Sequence, residues 1–464
     1  MSAPTAEPAR HSTARASLAV LGVKLQQLDL FGPIREGGHV AQKTVRHTPS
    51  EKLYDAFIAL LAGAHGLVEL NRRLRADPAL QAAFGRAACA EQSVVQDTLD
   101  ACTAANVTQM EQALDRIYRE QSYGYRHEYD RAWQILDVDV SGLPCGKKSA
   151  LATTGYFAKQ RRRRGRQLGR VLATTYQEVV VDRLFAGNTQ LRAALQPLVL
   201  AAEQTLDLDE ARRRRTVLRI DAGAGGVADI KWVLERGYHV VAKDCSTARA
   251  RRLAASVTTW FADLRQTGRQ VGVVIIPAPE YETEAHRQTI TRVAVRCRQA
   301  SGAWGVGVVI STLPVGAALL LSGQDAALAA DPAAAALAYV YLYDRRSGGV
   351  ETAFKGDKQG LGLTKRNKKR FEAQQMLVAL NQLAHNVLIW ARRWLAAHAP
   401  RVQAFGLKRL VRDVFGVRGV VERAPGGEVL AIVLNQADPL ALHLLAALRA
   451  LTTAPPLVVQ LGET

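Results

Sequence analysis

The sequence predicts an α/β protein preceded by a helical segment, and three observations carry that expectation. Short β-rich runs alternate with runs of helical periodicity from Trp133 to Val241. The stretch from Ser50 to about Ser122 shows helical spacing only, with helix-start signals at Ser50-Glu51 and Asp77-Pro78. The 464 residues are 48% hydrophobic, enough to build sizeable cores.

Taken in order, residues 1–45 are rich in Ala, Pro, Gly and Thr and are expected to form a flexible lead-in. In 46–125, Leu53, Phe57, Leu60 and Leu61 recur at helical spacing. Two short helices around Gly85 fit either a helix-turn-helix or a plain bundle, and this segment is the expected DNA-end-binding domain. In 126–244, Ile135–Val140, Gln167–Thr175, Glu178–Leu184, Thr216–Ile220 and Tyr238–Val241 read as strands. Gln190–Leu206 and Val227–Arg236 read as helices. In 245–340, a helix near Ala248–Leu264 precedes the β-rich Val271–Ile276 and Val306–Ile310. In 341–400, Lys368–Ala396 has strong helical periodicity. In 401–464, Val417–Val421 and Val429–Leu434 flank Pro425-Gly426-Gly427, a hairpin signal in a C-terminal α/β segment.

Charge narrows the function. The formal charge is +19 and the pI about 10.0, which favours a polyanionic partner, nucleic acid before membrane. Three basic clusters stand out: Arg161, Arg162, Arg163 and Arg164 with Arg166; Arg212–Arg215; and Lys365, Arg366, Lys368, Lys369 and Arg370. Like charges repel unless a polyanion neutralises them, and a phosphate backbone does so with counterion release. The five cysteines form no CxxC pair, against a disulfide framework or a structural zinc, and a reducing cytosol fits. The N-terminus lacks a signal-peptide pattern, and no apolar run reaches the ~20 residues of a membrane span.

The chemistry lies in acidic residues. Asp139 and Asp221 each close a predicted strand and precede turn residues, Ser141-Gly142 and Gly223. Asp137 is a rival on the same face as Asp139. Two adjacent carboxylates repel unless protonated or bridged by cations, and a divalent metal resolves that conflict. A third acid completes a two-metal site, with ions ~3.5–4 Å apart. Glu351, within Tyr343–Lys358, is the candidate.

This ordered set resembles the DDE transposases of bacterial insertion sequences, in the branch marked by Tyr, Arg, Glu and Lys around the last acid. Tyr343 and Arg346 are separated by two residues, and Lys358 follows Glu351 after six. Four residues separate Arg346 from Glu351 where the family has three, so Arg345 and Arg346 both stand for the Arg role. Asp139-Val140-Ser141 matches the family's first acid with its trailing hydroxyl, while Ala224 and Gly225 stand where an aromatic follows the second. The likeness spans about Trp133 to Trp394.

The resemblance implies an RNase H-like core with a mixed, β-rich insertion between Asp221 and Glu351. It implies metal-dependent cleavage and strand transfer of insertion-sequence ends by cut-and-paste, using two Mg²⁺ or Mn²⁺ ions held by Asp139, Asp221 and Glu351. Tyr343, Lys358 and Arg345 or Arg346 would contact DNA near the scissile phosphate. Trp260 or Trp304 would stack on a flipped base. Partners would be the terminal inverted repeats, target DNA and a second copy of the chain, in the bacterial cytoplasm at the nucleoid. Two other readings compete. Val217–Gly226 with Asp244 resembles the cofactor face of an S-adenosylmethionine-dependent methyltransferase, and a non-catalytic DNA-binding relic of a transposase shares the charge pattern.

Overall fold

The computed structural model describes residues 8–43, 46–155, 157, 162–282, 290–365, 367–452 and 457–463. The chain divides into two compact units. One comprises 1–122, 143–153 and 354–464, the other 123–142 and 154–353. In chain order the strands are β1 (Ala9–Thr13), β2 (Gln134–Pro144), β3 (Thr153–Thr154), β4 (Arg164–Ala173) and β5 (Glu178–Ala186). There follow β6 (Thr216–Ile220), β7 (His239–Lys243), β8 (Phe261–Ala262), β9 (Arg269–Val273), β10 (Thr291–Arg298) and β11 (Trp304–Ser311). The last are β12 (Gly419–Arg423), β13 (Val429–Asn435) and β14 (Val458–Gly462).

The first unit is built around helix Phe371–Ala396, which is buried along most of its length. Such a helix needs apolar neighbours on every side. Helices Pro49–Leu61, Gln92–Ala101 and Ala104–Gln121 supply them. The expected flexible lead-in is corrected here. Helix Ala16–Gln27 is core, with Leu18, Val20 and Leu21 fully buried. Its small residues permit close packing rather than mobility: a Cβ on Gly22 would stand 2.6 Å from the Phe84 ring. The predicted hairpin forms as β12 and β13, within a four-stranded sheet ordered β1-β12-β13-β14.

The second unit carries the α/β layer. Its sheet runs β5-β4-β2-β6-β7-β11-β10-β9-β8, with the two-residue β3 also on β4. β2, β6 and β7 are parallel, as strands separated by helices Leu191–Leu206 and Val227–Glu235 should be. The β-rich stretch expected as an insertion domain continues this sheet, because β11 pairs antiparallel with β7. One expected helix is shorter than its sequence suggests: Thr247–Ala255 ends before Thr258-Thr259, and Phe261–Ala262 is a strand. β-Branched threonines favour extended backbone there.

Candidate active site

The centre of the sheet presents both aspartates. In the β2/β6 register Asp137 faces Arg219 and Val138 faces Ile220, so the next step along each strand sets Asp139 beside Asp221. Strand alternation puts Asp137 and Asp139 on one face of β2, and the extended backbone of Asp221, the residue after β6, continues the face of Arg219; the strand expected to close at Asp139 instead runs on to Pro144. Asp137 is fully buried and bound by both arms of the Arg219 guanidinium, at 2.6 and 2.8 Å. Asp137, the rival of Asp139 on this face, is thereby committed to an internal ion pair.

Asp221 caps the turn Ala222–Ala224, with Oδ1 accepting from the Gly223 amide at 2.6 Å. Glu351 ends a widened helical turn, Ser347–Glu351, that leaves helix Pro332–Asp344 through a kink at Gly349. Its side chain is 56% exposed.

Arg346 links the acids. Its Nη2 lies 2.9 Å from Asp139 Oδ2, its Nη1 3.7 Å from Glu351 Oε1, and Nη2 also donates to the Val138 carbonyl at 3.1 Å. Burial pushes the Asp139 carboxyl up to about 6. The Arg346 charge opposes that shift, and the Asp221 and Glu351 charges add to it. Burial works against the Arg346 cation, but the Asp139, Asp221 and Asp137 carboxylates raise its pKa above the ordinary value. Burial pushes the Tyr343 phenol up to about 12, so it stays protonated; Arg346, Asp221, Glu351 and Asp139 all act on it. Tyr343 also lines a cavity of about 360 Å³ with Lys243, Arg269, Val309 and Asp344.

Among the described residues no three His, Cys, Asp or Glu side chains already stand at metal-holding distances. The donor chemistry nonetheless fits a hard divalent ion. The Asp221 and Glu351 charges both act on the Asp139 carboxyl, and a cation, Arg346, already lies between Asp139 and Glu351.

A family model described as a transposase DDE domain matches residues 133–387, more than half of the chain. The chain belongs to that family. It is a DDE transposase, a DNA-transposing enzyme of a class that generally uses divalent metal ions. No curated protein matches it. A solved piggyBac transposase synaptic complex with hairpin DNA is similar at a TM-score of 0.44 and 12% identity, over 88% of this chain and 82% of that one.

The remaining residues singled out in the transposase sequence are distributed as follows. Arg345 turns away from the acids and donates to the Leu321 carbonyl at 2.9 Å. Arg162, Arg163 and Arg164 are exposed at the start of β4. Lys358, Lys365, Lys368 and Lys369 belong to the first unit. Lys365 and Lys369 are exposed. Lys368 is corrected as a solvent-facing DNA contact: it is buried and its ammonium donates to Gln96. Arg161 and Arg366 lie outside the described residues. Trp304 is 38% exposed, and the Arg296 guanidinium lies 4.7 Å from its ring centre and 4.1 Å from that of Trp260.

Arg219 went unread in the transposase sequence. The signal was present: Asp137 and Arg219 each precede a candidate acid by two residues. Only strand register turns that spacing into a pair.

The methyltransferase reading loses its chemistry in the transposase fold. Asp244, its ribose-binding candidate, is buried against Arg249 at 2.5 and 2.8 Å and accepts from the Ser246 amide at 2.7 Å. A Cβ on Gly225 would lie 1.8 Å from the Lys243 carbonyl oxygen, so that glycine serves close backbone packing.

Proposed function

We propose that Asp139, Asp221 and Glu351 are the catalytic acids of this transposase. On this reading they bind two divalent ions, Mg²⁺ or Mn²⁺, for cut-and-paste transfer of insertion-sequence ends. The supporting observation is that Asp139 and Asp221 each directly follow Val138 and Ile220, the last register pair of the neighbouring parallel strands β2 and β6, while Arg346 joins Asp139 to Glu351. The bound ions would activate the attacking water or 3′-hydroxyl and stabilise the leaving oxygen.

The chain's own groups divide the remaining work. Asp139 is the most enclosed of the acids and anchors the site from the sheet. Glu351, more exposed, faces the solvent from which DNA arrives. Arg346, not Arg345, fills the Arg place of the Tyr/Arg/Glu/Lys signature, because only Arg346 reaches the acids. With the scissile phosphate bound, its fork suits a phosphate oxygen pair. Tyr343, protonated, donates rather than accepts toward the DNA backbone. Lys358 and the exposed arginines 162–164 grip phosphates along the terminal repeats and target DNA, and two copies of the chain join the two ends. Trp304, 38% exposed and flanked by Arg296 and Arg298, stacks on an unpaired base.

Glu351→Gln tests the assignment. On a supercoiled plasmid carrying the terminal inverted repeats, with Mg²⁺, the variant should bind the repeats as wild type does and leave the strands uncut. Cleavage at the wild-type rate would remove Glu351 from the site.

A further inference from the structure

We infer that the buried Asp137–Arg219 pair is a positioning element that sets where Glu351 stands relative to Asp139 and Asp221. The inference rests on the acid assignment proposed above.

The pair occupies register partners on β2 and β6, one strand repeat below the two aspartates and on their face. Arg219 is 1% exposed and Asp137 0%, so neither touches substrate. Their neighbours in the register, Leu136 with Leu218 and Val138 with Ile220, are apolar. An apolar pair would fill this position without the desolvation cost of two charges. What an apolar pair lacks is directional donors, and here every arm is used. Arg219 Nε and Nη2 clasp Asp137, while Nη1 donates to the Leu342 carbonyl at 2.8 Å. Leu342 lies in the last turn of helix Pro332–Asp344. On the other side Asp137 Oδ2 accepts from the Val350 amide at 3.4 Å, the residue before Glu351.

One ion pair therefore ties both strands to the two ends of the segment that delivers the third acid. The segment lies directly on it: a Cβ on Gly349 would stand 2.2 Å from Asp137 Oδ2 and 3.0 Å from Thr174 Cγ2. Gly349 is the kinked residue of that turn. A glycine is required there because the backbone approaches the carboxylate more closely than a side chain permits.

Two substitutions test this by different routes. Arg219→Lys keeps the charge and removes the planar fork that reaches Leu342. Gly349→Ala leaves the pair intact and pushes the segment off it. In the full-length, DNA-free protein, Fe²⁺ with ascorbate and peroxide should cut the wild-type polypeptide near residues 139, 221 and 351. Both variants should melt cooperatively and keep the cuts near 139 and 221. The cut near 351 should weaken at least about fivefold, with a higher Mg²⁺ concentration needed to suppress the remaining cuts by competition. Folded variants with an undiminished cut near 351 overturn the inference, as does failure of both variants to fold, which would make the contact one of stability alone. Absence of any wild-type cut at the three acids would instead strike the acid assignment.

Discussion

Arg346 holds Asp139 across 2.9 Å in a setting where the arginine side chain is 5% exposed and the aspartate 15%. The same guanidinium reaches Glu351 at 3.7 Å, and its Nε has no hydrogen-bond partner among the described residues. Arg346 thus serves as the acids' internal counter-cation when DNA and metal are absent.

Replacing Arg346 by Ala should lower the melting temperature in chelator, since an uncompensated partly buried Asp139 costs about 3 kcal/mol. Added Mg²⁺ should then stabilise Arg346→Ala more than it stabilises wild type, because the ion no longer competes with the guanidinium. Calorimetry with and without Mg²⁺ reads both quantities. Equal Mg²⁺ shifts in the two proteins would rule out competition.

Asp139 should make stability depend on pH. Burial lifts its carboxyl from 3.8 to about 6, so the folded protein holds this proton more tightly than the unfolded chain does. Stability then falls as pH rises from about 4 to about 6, by about 3 kcal/mol in full, and stays lower above that range. Asp139→Asn removes this loss. The variant should be more stable than wild type at pH 7.5 in chelator, and its urea midpoint should lack the decline between pH 4 and 6. A wild-type decline of equal size in the variant would assign it to other groups.

The exposed arginines ahead of β4 should act through counterion release. Replacing Arg162, Arg163 and Arg164 together by Ala should weaken binding to any duplex. It should also flatten the plot of log affinity against log salt by ~0.9 for each phosphate no longer neutralised. Fluorescence anisotropy on a random-sequence duplex between 50 and 200 mM NaCl, about the range in which such charge pairing dominates, measures the slope. An unchanged slope would place the DNA path elsewhere.

Trp304 should contribute to unpaired DNA without contributing to the fold. Its ring is 38% exposed, with the Arg296 and Arg298 guanidiniums over it at 4.7 and 5.5 Å. Trp304→Ala should leave the melting temperature within about 2 °C. Affinity for a DNA end bearing an unpaired base should drop about tenfold, the order expected for one base stack. A large melting shift would make this tryptophan a packing residue instead.

The candidate acids stood out in the sequence through local signals, but only part of that placement holds: Asp221 follows the end of β6 before a turn and Glu351 directly precedes a helix, whereas Asp139 lies inside β2, which runs on to Pro144 because its backbone stays extended past the predicted turn. The alternating elements of 126–244 were legible for the same reason, since period and turn residues are local. The helix Ala16–Gln27 was not, because small residues read alike in a loose segment and in a tightly packed one. Nor was the continuation of the sheet by β9–β11, which depends on pairing with β7.

By itself, then, the sequence determined an α/β transposase core, its basic charge and three candidate acids, properties set by residue type and spacing. Tertiary structure alone decided that Arg346 rather than Arg345 meets the acids, that Asp137 is engaged by Arg219, and that Lys368 is withdrawn from solvent. Those outcomes depend on strand register and on the direction of a helical turn. Both are fixed by contacts between residues more than eighty positions apart, as Asp137 and Arg219 are, and no local pattern encodes them.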